Sequence, residues 1–252
     1  MTGHELTPAP ADGPGGARLV GGVWLPATER HLVEIMQPGA KRHAVRGGKW
    51  TYQLHKLEAA VGLVPGDRRR VAVDVGAHVG LWSMWLVKMF EHVHAFEPVP
   101  LHARLFERNV TDHNHTLYRI ALGDREGRVS LSVPPDQTGH AHVADGARPH
   151  DQRGGMLGPE TWERIAEVPM KTLDGLGLEQ VDFIKVDVEG YELKVIEGAR
   201  ETLLRCRPVL VVEQKGNDRA VYGGGQDEAL GWLNSIGARR LCVISGDYII
   251  GW

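Results

Sequence analysis

Cysteine is nearly absent. Cys206 and Cys242 lie far apart and form no CxxC pair. That excludes a disulfide framework and a Cys-based zinc site, and fits a reducing, cytoplasmic setting. Neither sign of charge dominates: 29 Lys and Arg stand against 32 Asp and Glu, with a pI near 6.5. Such a balance gives no general pull toward nucleic acid or a membrane surface. No apolar run approaches the roughly 20 residues of a membrane span. The opening MTGHELTPAPADGPGG has neither a basic start nor an apolar stretch, so it does not read as a signal peptide. Its Pro, Gly and Ala content reads as a flexible tail over 1–18. Internal repeats are missing too, and so is the GxGxxG turn of dinucleotide enzymes.

What is present is enough for one large α/β domain: 252 residues, 42% of them hydrophobic. Residues 19–66 read as an N-terminal cap, with a hydrophobic piece at 19–25 and an amphipathic stretch at 52–64. The main domain is expected over 67–252. In it, strands are expected at 71–75, 92–96, 116–121, 128–133, 183–186 and 208–213. Helices are expected at 81–90, 101–109, 192–204 and 227–236. Gly246-Asp247 between 240–245 and 248–250 is a hairpin signal. Alternating strands and helices predict a doubly wound, mostly parallel sheet with an antiparallel hairpin at its C-terminal edge. Residues 134–160, rich in Gly, Pro, His and Asp, read as an active-site lid.

The segment VAVDVGAHVGLWS carries the first chemistry. A β-branched run ends at Asp74, and a GxxxG turn follows from Gly76 to Gly80. Asp74 either caps local amides or orients the loop and a ligand's amino-acid end. Glu97 lies about twenty residues on, at the next strand tip, where a carboxylate can hold both hydroxyls of a ribose. A dinucleotide needs a fuller glycine cradle for its pyrophosphate. S-adenosylmethionine has a carboxylate, a ribose and an adenine but no phosphate, and suits this turn better.

VDVGAHVGLWS, AFEP, IALGDREG, KTLD and IKVDVEGYELKVIEGA follow one another in this order. Together they resemble the FkbM family of S-adenosylmethionine-dependent methyltransferases over about residues 71–215. The resemblance implies the seven-stranded, Rossmann-like class I methyltransferase fold and methyl transfer, most often to oxygen. It places Gly76, Ala77, His78 and Gly80 along the methionine and ribose side. Glu97 falls on the ribose hydroxyls, with Pro98 beside it. Ala121, Leu122 and Asp124 fall at the adenine edge. His78 departs from the pattern, since many relatives carry Asn or another small polar residue there; an imidazole still hydrogen-bonds.

The strand at 183–186 delivers Asp187 to the same rim, where ligands sit in open parallel sheets. Asp187 is therefore a candidate both for the cofactor side and for proton removal from an acceptor hydroxyl. Glu213 ends the next strand and reaches the same rim. A lid histidine, His142 of the His140–His142 pair, is the third candidate base; His150 also lies in the lid. Glu189 and Glu192 stand at a helix start, where acids are favoured anyway. A divalent ion is not predicted; if one is used, Asp187, Glu189 and Glu213 are its oxygen ligands. In the cap, Tyr52, Gln53 and His55 are candidates for closing over the cofactor. Trp82 and Trp85 read as packing.

The expected partner is a small-molecule or glycan acceptor bearing a hydroxyl. Nucleic acid is disfavoured, because DVEG stands where an N/D-P-P-Y/F motif would serve an exocyclic amine. The rivals are a nucleic-acid or protein methyltransferase, a cofactor-binding module without turnover and, third, a dehydrogenase.

Overall fold

The protein is described by a computed structural model over residues 16–41, 43–144, 163–213 and 228–252. Most of the expected lid, with His150, and the first fifteen residues of the expected tail lie outside those ranges. The N-terminal segment holds β1 (Ala17–Val20), β2 (Val23–Pro26), α1 (His31–Met36), β3 (Val45–Arg46), β4 (Lys49–Trp50) and α2 (Leu54–Val61). Next come β5 (Val71–Val75), α3 (Ser83–Leu86), β6 (His92–Phe96), α4 (Pro100–Asn109) and β7 (His115–Tyr118). They are followed by β8 (Ala121–Leu122), β9 (Gly127–Val133), β10 (His142–Val143) and β11 (Glu163–Lys171). The last third holds β12 (Phe183–Val186), α5 (Glu192–Glu197), α6 (Arg200–Cys206), β13 (Val209–Val212), α7 (Glu228–Ser235), β14 (Arg239–Ile244) and β15 (Asp247–Gly251).

The runs VAVDV, FIKV and VLVV are apolar almost throughout, as strands covered on both faces must be. They lie in the middle of a seven-stranded sheet ordered β7-β6-β5-β12-β13-β15-β14. Only β15 runs antiparallel to its neighbours. This is the doubly wound class I methyltransferase architecture the resemblance implies. The closing hairpin differs in detail from a simple edge addition, because β15 inserts between β13 and β14. Residues of β5 alternate between two cores. Ala72 joins Leu57, Leu86 and Phe106 on one face, while Val73 and Val75 join Ile184, Ile196 and Leu203 on the other. Winding reverses between β5 and β12, which opens a crevice at their carboxyl ends.

Several expectations shift. The helix expected at 81–90 is regular only in α3, whose four residues are all buried. Around it amides alternate between i−4 and i−3 acceptors, as in Met84 to Gly80 and Trp85 to Trp82. The helix expected at 192–204 breaks at Gly198, where a Cβ would stand 1.9 Å from the Gly123 carbonyl oxygen. Asp174 then accepts from Glu201 N at 2.9 Å and Thr202 N at 2.8 Å, capping α6. The strand expected at 116–121 divides. Its first part is β7, and Ala121 instead enters a second sheet ordered β10-β9-β11-β8. That sheet also takes the strand expected at 128–133. Its β11 had no sequence signal, since ERIAEVPMK mixes charges with Pro169 and bulges between Ile165 and Val168. The expected tail loses Ala17 and Arg18 to β1, which turns into β2 at Gly21-Gly22. Among the described residues no helix is long and apolar enough to cross a membrane.

On β6, His92 and His94 sit 4.7 Å apart between ring centroids. Burial, then the neighbouring His92, lowers the His94 pKa to about 4. A histidine held neutral in the fold adds stability above its unfolded pKa near 6.5, and that stability is lost as pH falls toward 4. Urea unfolding at pH 7 and pH 5 is therefore expected to show a shallower acid loss for His94→Gln. The difference is about 1 kcal/mol, because water partly screens this half-exposed ring. Parallel losses in the two proteins would refute it.

Candidate active site

The turn after β5 is built by close backbone approach. Gly76 has φ +73°, and a Cβ there would sit 2.0 Å from the Asp187 carbonyl oxygen, so only glycine fits. Gly76 N and Ala77 N donate to Phe96 O at 3.1 and 3.0 Å, which ties the turn to the tip of β6. His78, at φ +51°, donates its main-chain N–H to Glu97 Oε2 at 2.8 Å. Glu97 Oε1 accepts from Val99 N at 2.8 Å and lies 3.4 Å from His102 Nδ1. This buried carboxylate thus organises the loop around it.

Two cavities meet at this turn. The first holds about 600 Å³, counting its open mouth, between Phe96, Glu97, Pro98, Ala121, Leu122, Leu131 and Val143. The second, about 630 Å³, lies between Glu29, His31, Tyr52, Ala77, Trp82, His140, Lys185 and Glu189. Gly76, His78, Gly139 and Asp187 line both. Each falls in the ~300–1,000 Å³ range of small-molecule sites.

Lys185 lines the second cavity, beside the turn. Its Nζ donates to Gly76 O at 2.8 Å and lies 3.4 Å from Asp74 Oδ1 and 3.5 Å from Asp187 Oδ2. Burial works against the ammonium, but Asp187, Asp74 and Glu213 outweigh it and hold its pKa above the ordinary lysine value. Asp74, fully buried, also accepts from Ser83 Oγ at 2.6 Å. Oxygens of Asp187, Glu189 and Glu213 lie within 4.8 Å of one another. Glu192 is held by Val188 N and Gly190 N at 3.3 and 3.0 Å, and burial raises its pKa. It fixes the loop after β12 rather than facing a ligand. Burial, then His102 and Lys185, puts the His78 pKa well below 6.5, so its ring is neutral.

A family model for the methyltransferase FkbM domain matches residues 74–239. The chain belongs to the FkbM methyltransferase family. Methyltransferase 1 of Beauveria bassiana (strain ARSEF 2860) is 28% identical over 165 residues, covering 58% of this chain and 66% of that protein. The 2-O-methyltransferase NoeI of Sinorhizobium fredii (strain NBRC 101917 / NGR234) is 28% identical over 164 residues, 61% of this chain and 66% of its own length. The match thus spans just under two thirds of each of these curated relatives. A crystal structure of methyltransferase FkbM from Methylobacillus flagellatus KT is 20% identical, covering 75% of this chain and 44% of that one, with a TM-score of 0.45.

In this FkbM chain the expected site residues separate into groups. Gly76, Ala77, His78, Glu97, Pro98, Ala121, Leu122 and Asp187 all line a cavity. Asp74 and Gly80 line neither cavity and instead shape the turn. Gly80 packs against Val110 and Phe106. Asp124 lines neither cavity and pairs with Lys194 at 3.0 Å and Arg125 at 3.1 Å. Glu213 joins the acidic group but lines neither cavity. Of the two described lid histidines, His142 lies in the first cavity, its Nδ1–H donating to His140 O at 2.9 Å. His140 instead faces the second cavity, 3.9 Å from Glu189 Oε1. The acidic group therefore has His140 beside Glu189 and His78 within electrostatic reach of Asp187. Of the cap residues, Tyr52 lines the second cavity, Gln53 Oε1 accepts from Trp82 Nε1 at 3.3 Å, and His55 faces Ser245.

Sequence reasoning missed Lys185, which reads as one more residue of a buried strand. A lysine inside FIKV was the available signal, since a buried cation demands a partner. His102 was missed as well, although it shares the apolar stripe of α4 with Leu105, Phe106 and Asn109. Lys185→Met strands Asp74 and Asp187 without their counter-charge, and is expected to cost about 3–5 kcal/mol. Thermal or urea denaturation checks this; a loss under about 1 kcal/mol would remove Lys185 from the centre of the site.

Proposed function

We propose that this chain is an S-adenosylmethionine-dependent O-methyltransferase acting on a hydroxyl of a small molecule or glycan. The observation that carries this reading is the meeting of the two cavities at Asp187, beneath the Gly76–His78 turn. One cavity suits a nucleoside and the other an acceptor.

The residues fit the cofactor. Phe96, Pro98, Leu122, Leu131 and Val143 offer an apolar slot for adenine, and Glu97 offers carboxylate oxygens for ribose hydroxyls. The turn through Gly76, Ala77 and His78 borders the methionine end. A neutral His78 adds no charge to repel a cationic sulfonium. When bound, the cofactor supplies an activated methyl group. The chain's own task is then alignment and proton removal. Asp187 is the base of this reading, because it alone of the acidic group lines both cavities. Lys185 holds its carboxylate in place. Glu213 backs the same group as the second candidate. His142, on the cofactor side of the crevice, is the weaker imidazole candidate.

DVEG in place of an amine-methylation motif supports oxygen as the acceptor atom, and so does NoeI, a 2-O-methyltransferase by name. No ion is needed, since Lys185 already supplies positive charge among the carboxylates. A magnesium requirement would instead assign Asp187, Glu189 and Glu213 to a divalent ion. Methylation of nucleic acid or peptide is the rival, and a screen with radiolabelled cofactor over sugars, nucleosides, nucleic acid and peptides, with and without magnesium, separates them.

Titration calorimetry with S-adenosylmethionine is expected to show binding; no binding refutes the reading. Glu97→Ala is expected to weaken that affinity about 10- to 100-fold, the worth of charge-assisted hydrogen bonds. Asp187→Asn is expected to cut turnover at least ~100-fold while cofactor affinity stays within a few-fold. Unchanged turnover would take Asp187 out of the role of base.

A further inference from the structure

The family model begins at residue 74, yet a carboxylate from well upstream is wired into the cofactor turn. Glu29, wholly buried, accepts three hydrogen bonds. Its Oε1 takes Leu32 N at 2.9 Å, capping the start of α1. Its Oε2 takes both Thr138 N at 2.7 Å and Thr138 Oγ1 at 2.6 Å. Beside it, Asp136 O accepts from Arg30 N at 3.0 Å and His31 N at 3.4 Å. Residues 29–31 and 136–138 are thereby docked together.

The hydroxyl proton of Thr138 is committed to Glu29, so its oxygen is left as an acceptor. His78 Nε2–H donates to it at 3.0 Å. That fixes the ring as the Nε2–H tautomer, with Nδ1 unprotonated and the ring 4.2 Å from His102. The main-chain N–H of the same His78 reaches Glu97. A continuous chain of hydrogen bonds therefore runs from Glu29 through Thr138 and His78 to Glu97, passing between both cavities.

We propose that Glu29 is a positioning residue for the cofactor site: it pins Thr138, and Thr138 sets the His78 ring and the turn that holds Glu97. This rests on the reading of the first cavity as the nucleoside site. A buried carboxylate is tolerated only when its lone pairs are used. Here the donors it satisfies belong to the N-terminal segment and to the 134–144 segment, so it makes the N-terminal segment part of the site.

The test uses the full chain. Thr138→Val keeps the β-branched shape and the N–H to Glu29 but deletes the bridging hydroxyl. It is expected to fold with a somewhat lower melting temperature, because Glu29 loses one of its three donors, and to weaken S-adenosylmethionine binding about 5- to 10-fold, the worth of one hydrogen bond. Thr138→Ser is expected to restore affinity to within about twofold. Glu29→Gln is expected to weaken binding further and to speed hydrogen exchange in 134–144. In ¹⁵N histidine spectra the Nε2–H signature of His78 should be clear in the wild type and lost in Thr138→Val. A folded Thr138→Val protein with wild-type affinity, or with the His78 signature intact, overturns the proposal. If the wild type binds no cofactor, the cofactor reading fails by itself. The histidine spectra then decide the wiring: a lost signature upholds it and an intact one overturns it.

Discussion

The Lys185 ammonium is the contact on which the site depends. It lies on β12, the strand across the switch point from β5, and reaches both ways: to Asp74 on β5, to the Gly76 carbonyl in the turn, and to Asp187 at its own strand's end. Remove it and two carboxylates face each other in a region largely closed to water. A buried charge survives only when paired and hydrogen-bonded, and this one is paired twice. The same contact holds the turn against β12, where Gly76 meets the Asp187 carbonyl so closely that no side chain fits. The turn after β5 and the tip of β12 are therefore one unit.

Around that unit the chain adds walls from three directions. The strand tips of β5 and β6 bring the turn and Glu97. The second sheet brings Ala121, Leu122, Leu131 and Val143 as the apolar side of the first cavity. The N-terminal segment brings Glu29, His31 and Tyr52 to the second. Asn109 braces this last wall, bonding to Trp24 at both its N–H and its carbonyl and to Val79 O in the turn. Fold and family account for the first wall. In the proposed reading the second sheet completes the nucleoside slot and acceptor choice falls to the N-terminal wall, since one fold serves many acceptors.

Much of the first wall was legible in the sequence because local chemistry dictates it. A β-branched run, a glycine at positive φ and an acid at the next strand tip act through neighbours close in the chain. What was hidden depends on distant partners. Ala121 looks like the end of one strand, but it pairs with Met170 across a strand of mixed charge that gave no signal. The helix divides at Gly198, where the Gly123 carbonyl leaves no room for a side chain. Asp124 follows the third strand in sequence, and its ion pair with Lys194, from a helix seventy residues on, could not be read there. His140 and His142 are equivalent as a sequence pair. A short 3₁₀ turn (Thr138–His140) ends at the first and β10 begins at the second, and one lines each cavity.

The central claim is that the first cavity holds the adenosine end of the cofactor and that Glu97 grips its ribose. A crystal structure with S-adenosylhomocysteine tests it most directly. The account predicts adenine between Phe96, Pro98 and Leu122, with both ribose hydroxyls within hydrogen-bond distance of the Glu97 carboxylate. A ligand seated elsewhere, or one whose ribose leaves Glu97 bonded only to His78 and Val99, would contradict it.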